Sequence, residues 1–253
     1  MSSGDNSTSL IPLILEKSKY LQGVINNNFL LKYCELHNIP AEYSMFEMKQ
    51  EVVARRAYFQ GVKKKYALHI INKEGRDIDE TDIKGLVSVR SDYASITKAY
   101  TEEIVNMLIY DEKVSFTKIK NYVKEKRTEI IDLILEGDKR VCRPVSFAKK
   151  LSDYKTIPGH VRGMILWNQL EYNHFSVGSK GYEFKLQGID PFTAPSSVLE
   201  KYQSVEKLPN SISIPYEVDK LPSYYIVDVD AQLDFVWNDR VDELLTPIFK
   251  ENK

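Results

Sequence analysis

The tetrad Lys63-Lys64-Lys65-Tyr66 sits between two largely apolar runs, Glu51 to Gln60 and Ala67 to Ile71. Two such runs separated by so short a polar stretch close into a β-hairpin, and the tetrad then lies at its bend or edge. Three cations and an aromatic ring are presented together. Cations there can meet phosphates, and long stems followed by a ring reach into a groove. The same pattern also serves as a solvated edge that blocks strand-to-strand aggregation. The flanking sequence has to decide between the two.

A chain of 253 residues makes one large domain or two smaller ones. With 43% hydrophobic and 28% charged residues it buries a sizeable core and belongs to the soluble globular class. No apolar run approaches the roughly 18 residues of a membrane helix. Residues 1–10 lack the basic and apolar parts of a signal peptide and read as a flexible start, which points to the cytoplasm. Cys34 and Cys142 fit neither a metal spacing nor a disulfide framework, as in a reducing compartment. His37, His69, His160 and His174 are scattered, so no zinc site is expected. A net charge of −1 argues nothing for nucleic acid, but its distribution is uneven. Residues 186–253 carry −6 and the remainder +5, with basic clusters at 49–65, 113–127 and 139–155.

Three- and four-residue apolar steps predict a helix from Ile11 to about Asn38, with Asn26-Asn27-Asn28 as an interruption. Residues 43–71 read as the hairpin, and Asn72 to Gly75 as a turn. A short strand and connection follow over 77–91. Ser91-Asp92 offers a cap for a helix from Tyr93 to Tyr110, and Ser115 caps another to about Glu136, closed by Gly137. Further helices are expected over 146–151 and 161–172, a hairpin over 175–187, loop with short strands over 189–224, a strand over 224–229 and a closing helix over 230–249. Asp228-Val229-Asp230 has the spacing of a metal hairpin but reads as a structural or helix-capping pair. Asp77 to Asp82 lacks the glycine and distal glutamate of a calcium loop.

Taken in order, several segments resemble the C-terminal part of family B DNA polymerases, most like those of large tailed phages. Phe46-Glu-Met-Lys-Gln-Glu51 followed by Lys63-Lys64-Lys65-Tyr66 resembles the palm hairpin with its Lys-Lys-x-Tyr motif. Asp82-Ile-Lys-Gly-Leu86 and Val89-Arg-Ser-Asp92 resemble the crossing into the thumb. Tyr154 with Pro158-Gly-His-Val-Arg-Gly163, Gly178-Ser-Lys180 before Tyr182-Glu-Phe184, and the segment from Asp230 to Pro247 resemble later thumb elements. The resemblance spans roughly residues 20–250. It implies an α+β fold: residues 11–85 as the C-terminal part of the palm, a helix plus antiparallel strands, and residues 86–253 as a mainly helical thumb with small β-hairpins.

The resemblance also implies roles. Lys63, Lys64 and Tyr66 would meet the primer near its 3′ end through the minor groove, whose acceptors are shared by all base pairs. Lys65 occupies a variable position suited to a phosphate. Lys84, Arg90 and Ser91 would hold the duplex backbone, and His160 and Arg162 would lie near the primer strand. His160, beside Gly159, is equally placed to hydrogen-bond a loop carbonyl. Glu51 matches an auxiliary carboxylate near the metal site, or is an exposed strand residue. Lys120, Lys124 and Arg127 share a helical stripe that reads first as a solvated face, with Glu129 offering Lys126 a partner.

The Asp-x-x-Ser-Leu-Tyr-Pro-Ser and Asp-Thr-Asp-Ser motifs that hold the two catalytic Mg²⁺ ions in such enzymes do not occur in this sequence, nor does an exonuclease or a fingers helix. The expectation is therefore one chain of a split DNA-directed DNA polymerase, inactive alone. A partner chain would carry exonuclease, fingers, catalytic palm and Mg²⁺, and this chain would bind primer-template DNA. Phe249 alone does not make the tail that docks a sliding clamp. The alternative is a non-catalytic DNA-binding or replisome assembly factor derived from a polymerase C-terminus.

Overall fold

The computed structural model describes residues 6–43, 45–172 and 174–250, and the fold is α+β. The chain packs into two units, residues 1–57 with 67–82, and residues 58–66 with 83–253. The tip of the first hairpin, residues 58–66, thus belongs to the second unit.

In the first unit, helix α1 (Asn6–Val24) begins inside the stretch expected to be flexible; residues 1–5 of that stretch lie outside the described residues. The three asparagines interrupt the helix as expected, widening it into a π-helical turn over Ile25–Leu30 before α2 (Leu31–Leu36). The turn frees Asn26 to act as a clamp. Its amide Nδ2 donates to the Met48 carbonyl at 2.9 Å, and its Oδ1 accepts from the Met48 N–H at 2.7 Å. Residues 45–51, expected as part of the hairpin, are therefore held against side chains of the helix and not in a sheet.

Strands β1 (Val52–Phe59), β2 (Tyr66–Lys73) and β3 (Arg76–Lys84) form a sheet in sequence order. The link between β2 and β3 is the predicted turn, in which Glu74 and Gly75 take φ of +51° and +82°, the geometry that matches strand twist. Asn72 is buried at its base. It accepts from Gln50 at 2.9 Å and donates to Asp77 at 2.8 Å, so its burial leaves no polar group unmet.

The second unit is built on α3 (Ser95–Tyr110) and α4 (Phe116–Leu135), whose buried Ile104, Val105, Ile109, Ile119, Ile130 and Ile134 form one apolar seam. Ser115 caps α4 as predicted, accepting from the Lys118 N–H at 3.1 Å. Helix α3 starts two residues later than expected and its cap is Ala94, because Asp92 is engaged by Arg90.

The remaining sheet is antiparallel, in the order β4 (Arg143–Ser146), β5 (Lys180–Ile189), β6 (Ser211–Pro215), with β7 (Tyr225–Val227) also on β5. The helical piece expected over 146–151 does not form: Ser146 ends β4 and Leu151 begins a short 3-10 turn (Leu151–Asp153), and 175–187 is no local hairpin, since β5 finds its partner in the distant β4. Helix α5 (Gly159–Leu170) lies on β6. Gly163 makes the approach possible, since a Cβ there would stand 3.0 Å from the Ser213 nitrogen. Every residue of β6 is buried, and its two serine hydroxyls are satisfied by the Gly159 and His160 carbonyls at 3.2 and 3.0 Å. The loop region 189–224 also contains a helix, α6 (Ser196–Gln203). The closing helix comes in three pieces: α7 (Val229–Leu233), a π-helical turn over Asp234–Asn238 and α8 (Asp239–Lys250). No helix among the described residues is long and apolar enough to cross a membrane.

Candidate nucleic-acid interface

The lysine loop owes its shape to α8. Pro247 lies inside that helix and has no N–H, so the Glu243 carbonyl four residues back lacks its helical partner. Gln60, buried at the end of β1, donates its Nε2 to that carbonyl at 2.8 Å. Tyr58 donates its hydroxyl to the neighbouring Leu244 carbonyl at 2.5 Å. The Glu243 carboxylate then receives the Lys65 ammonium, and Arg240 stands 3.6 Å from its other oxygen. Burial alone would raise the Glu243 pKa, but Lys65 and Arg240 outweigh it and hold the carboxyl below its ordinary value.

The loop itself closes through Gln60 N–H to the Lys65 carbonyl and Lys65 N–H to the Val62 carbonyl, both at 3.2 Å. Lys64 takes φ of +64°, uncommon for a side chain of this size. The backbone that passes beneath it is Lys84-Gly85-Leu86, with Leu86 buried. Gly85 has φ of +65°, and a Cβ there would collide with the Lys64 carbonyl oxygen and lie 3.2 Å from Lys65 Cγ. The two most specific motifs of the sequence are therefore packed on one another.

Lys63 and Lys64 are exposed at the tip. Lys65 points inward to Glu243 and positions the loop, where the sequence suggested a phosphate contact. Tyr66 is half-buried with its ring 6.3 Å from that of Phe59. Lys84 is exposed at the end of β3.

Arg90 is brought near this group through Tyr93. The guanidiniums of Arg90 and Arg240 lie 5.0 and 5.2 Å from the Tyr93 ring centroid. Arg90 also forks onto Asp92 at 3.0 and 2.7 Å, holding that carboxyl below its ordinary pKa. Ser91 is exposed between them. Asp92, Tyr93 and Arg240 share with Arg143 the lining of a cavity of about 120 Å³. Arg143 in turn contacts the buried Glu183 carboxylate through Nε at 3.0 Å and Nη2 at 2.9 Å. His160 lies in the field of that pair. Burial lowers its pKa and Arg143 adds to this, outweighing the Glu183 carboxylate and a hydrogen bond to the Ser146 backbone, both of which raise it.

Arg162 stands apart from that series. It is exposed and lines a separate cavity of about 160 Å³ with Lys207. Along α4, Lys126 is spoken for, bonded to Glu129 at 2.9 Å and 4.7 Å from the Tyr100 ring centroid, and Lys118 bonds Asp111 at 2.5 Å. Lys120, Lys124 and Arg127 are exposed.

Glu51 is exposed just before β1, and its carbonyl accepts from Glu74 N–H at 2.9 Å. Asp228 caps α7, accepting from Ala231 N–H at 3.0 Å, as its sequence setting suggested. No group of three or more His, Cys, Asp or Glu among the described residues stands close enough to hold a metal ion.

Sequence reasoning missed Glu243, Pro247 and Arg143. A proline inside an amphipathic helix signals a freed carbonyl, and Glu183 in an alternating strand signals a buried charge in need of a cation. Neither signal names its partner.

No protein-family model matches the sequence, and no curated protein matches it. Among solved structures, the chain is similar to the family B DNA polymerase from the hyperthermophilic archaeon Pyrobaculum calidifontis, at a TM-score of 0.48 and 18% identity over 94% of this chain. It spans 28% of the length of that polymerase chain.

Proposed function

We propose that this chain holds primer-template duplex for a family B DNA polymerase, together with a separate polypeptide that carries the catalytic aspartates and their Mg²⁺ ions. One observation carries the reading: the Lys-Lys-x-Tyr loop and the Lys-Gly-Leu segment, which resemble family motifs, are built as a single unit around Gly85. Lys63 and Lys64 project from that unit, and Lys65 and Tyr66 fix it from within. Two exposed ammonium groups on a short rigid turn suit the minor groove. They reach acceptors common to all base pairs and so test pair geometry without reading sequence. Lys84 and the Arg90 region extend the positive surface toward the backbone, and Arg162 with Lys207 supplies a second cationic point.

The test is binding of a fluorescent primer-template duplex across a salt series. The slope of log affinity against log salt should fall by about 0.9 for each phosphate-neutralising contact removed. Lys63→Ala with Lys64→Ala should weaken binding and flatten that slope by up to about two, with thermal stability unchanged. Unaltered duplex affinity in the double variant would remove the loop from the interface. Loss of affinity for single-stranded but not duplex DNA would remove the polymerase reading altogether.

A further inference from the structure

Two aromatic rings of the second unit each hold two cations. The guanidiniums of Arg90 and Arg240 lie 5.0 and 5.2 Å from the Tyr93 ring centroid. The Arg143 guanidinium and the Lys185 ammonium lie 5.1 and 4.5 Å from the Phe235 ring centroid. Both rings line the cavity of about 120 Å³ that Arg143, Arg240 and Asp92 also line. Four cations gathered around one small cavity repel one another, and anions have to offset that repulsion.

The carboxylates of the chain offset only part of it, because two of them are shared. Buried Glu183 serves both Arg143, whose Nη2 reaches its Oε2 at 2.9 Å, and Lys185, 3.5 Å from its Oε1. Glu243 serves both Lys65 and Arg240. Asp92 is forked onto Arg90, and Asp239, 3.9 Å from Arg240, is 64% exposed, where water screens its charge. Even with Asp239 counted, one positive charge remains in excess. The hydrogen-bond donors are less evenly matched than the charges. Arg240 donates through Nε to the Phe235 carbonyl at 3.4 Å, but its Nη1 and Nη2 stand 3.6 and 3.9 Å from Glu243 and Asp239, too far to bond. Arg143 uses Nε and Nη2 on Glu183, and its Nη1 has no hydrogen-bond partner among the described residues.

We propose that this cavity binds a phosphate group. Guanidinium groups meet phosphate through paired N–H donors, and the unused Nη groups of Arg240 and Arg143 supply them. A volume of about 120 Å³ falls short of the roughly 300–1,000 Å³ of a site that encloses a whole small molecule. The cavity therefore takes the phosphate itself and leaves whatever carries it outside. Asp92, the acidic residue of the lining, does not exclude an anion, because the Arg90 fork already neutralises it. The phosphate is either free in solution or a phosphodiester of nucleic acid. The site follows from charge and unused donors alone, so it goes beyond the proposed function and does not depend on it.

The experiment titrates inorganic phosphate into the full chain at constant ionic strength and reads saturable binding by phosphorus NMR. Arg240→Gln should weaken binding about tenfold or more, and Arg240→Lys, which keeps the charge without the fork, should restore only part of the loss. Asp92→Asn removes the acid of the lining and releases Arg90, so it should tighten binding about threefold or more. A gain of that kind does not arise from misfolding, and unchanged circular dichroism verifies that the other variants fold. No saturable binding by the parent at millimolar phosphate, parent-like binding by Arg240→Gln, or weaker binding by Asp92→Asn overturns the proposal. Adding primer-template duplex to the phosphate-bound parent separates the two sources. Displacement of the phosphate identifies a backbone phosphodiester as the occupant, and phosphate that stays bound identifies the free ion. Because the phosphate titration contains no DNA, it stands or falls separately from duplex binding through Lys63 and Lys64.

Discussion

At the scale of single residues, Gly85 has the narrowest tolerance. It combines a left-handed backbone with a carbonyl lying where a side chain would begin. Gly85→Ala should cost roughly 1–3 kcal/mol, the range for a strained backbone position, and should weaken duplex binding because Lys64 must move. Chemical denaturation and the duplex titration check the two halves of that statement; a variant as stable as the parent would contradict the packing described. Individual residue types were well read in the sequence where their role is local. The asparagine triplet, the Ser115 cap, the Glu74-Gly75 turn and the Asp228 cap depend only on neighbours a few positions away. Lys65 was misjudged because its partner lies 178 residues on, and nothing in a basic tetrad says which of its members is neutralised.

At the scale of elements, the hairpin and the last helix act as one device. Tyr58, Gln60 and Lys65 are fixed by two carbonyls and one carboxylate of α8. Tyr58→Phe removes the donor to the Leu244 carbonyl and leaves it buried; the cost should be about 1–3 kcal/mol. The amides of Gln60 and Lys65 should then exchange with deuterium faster than those of β5, a difference a global loss of stability alone would not produce. The α3, α4 and α5 helices were legible because their apolar periodicity is strong. The sheet β4-β5-β6 was not. Its strands are short, its pairings span long loops, and a buried four-residue strand carries no period that separates it from a helical turn.

At the scale of the whole molecule, acid acts on both ends of the electrostatic series in the same direction. His160 has a folded pKa below its ordinary 6.5, so the unfolded chain takes up the proton first. Its contribution to stability is complete above pH 6.5 and is lost as pH falls through the folded value. Glu243, held below its ordinary 4.5, behaves likewise one window lower: its contribution is present above 4.5 and is lost as pH falls through its folded value. Urea unfolding between pH 8 and 3 should therefore show two declines. His160→Gln should abolish the upper one and Glu243→Gln should reduce the lower, which it shares with Asp92, Glu129 and Asp138, carboxyls also held below their ordinary pKa, and a stability that rises on acidification would contradict both assignments. The sequence made the α+β class and the exposed basic side chains legible, since charge and periodicity are local properties. It left the arginine-lined cavity unread, because its walls come from positions as far apart as Asp92 and Arg240.

The anchoring of the lysine loop on α8 also sets a schedule. Ribosomes deliver the hairpin early, but the carbonyls and carboxylate that shape its tip are 178–186 residues further along. At about 5–20 residues per second, the loop waits roughly ten to forty seconds before its final geometry is available. During that interval a nascent chain presents its lysines on an unanchored turn. Nonsense mutations that halt translation before codon 243 would release a protein whose helices and sheets are nearly all made, yet whose most positively charged turn has never been set.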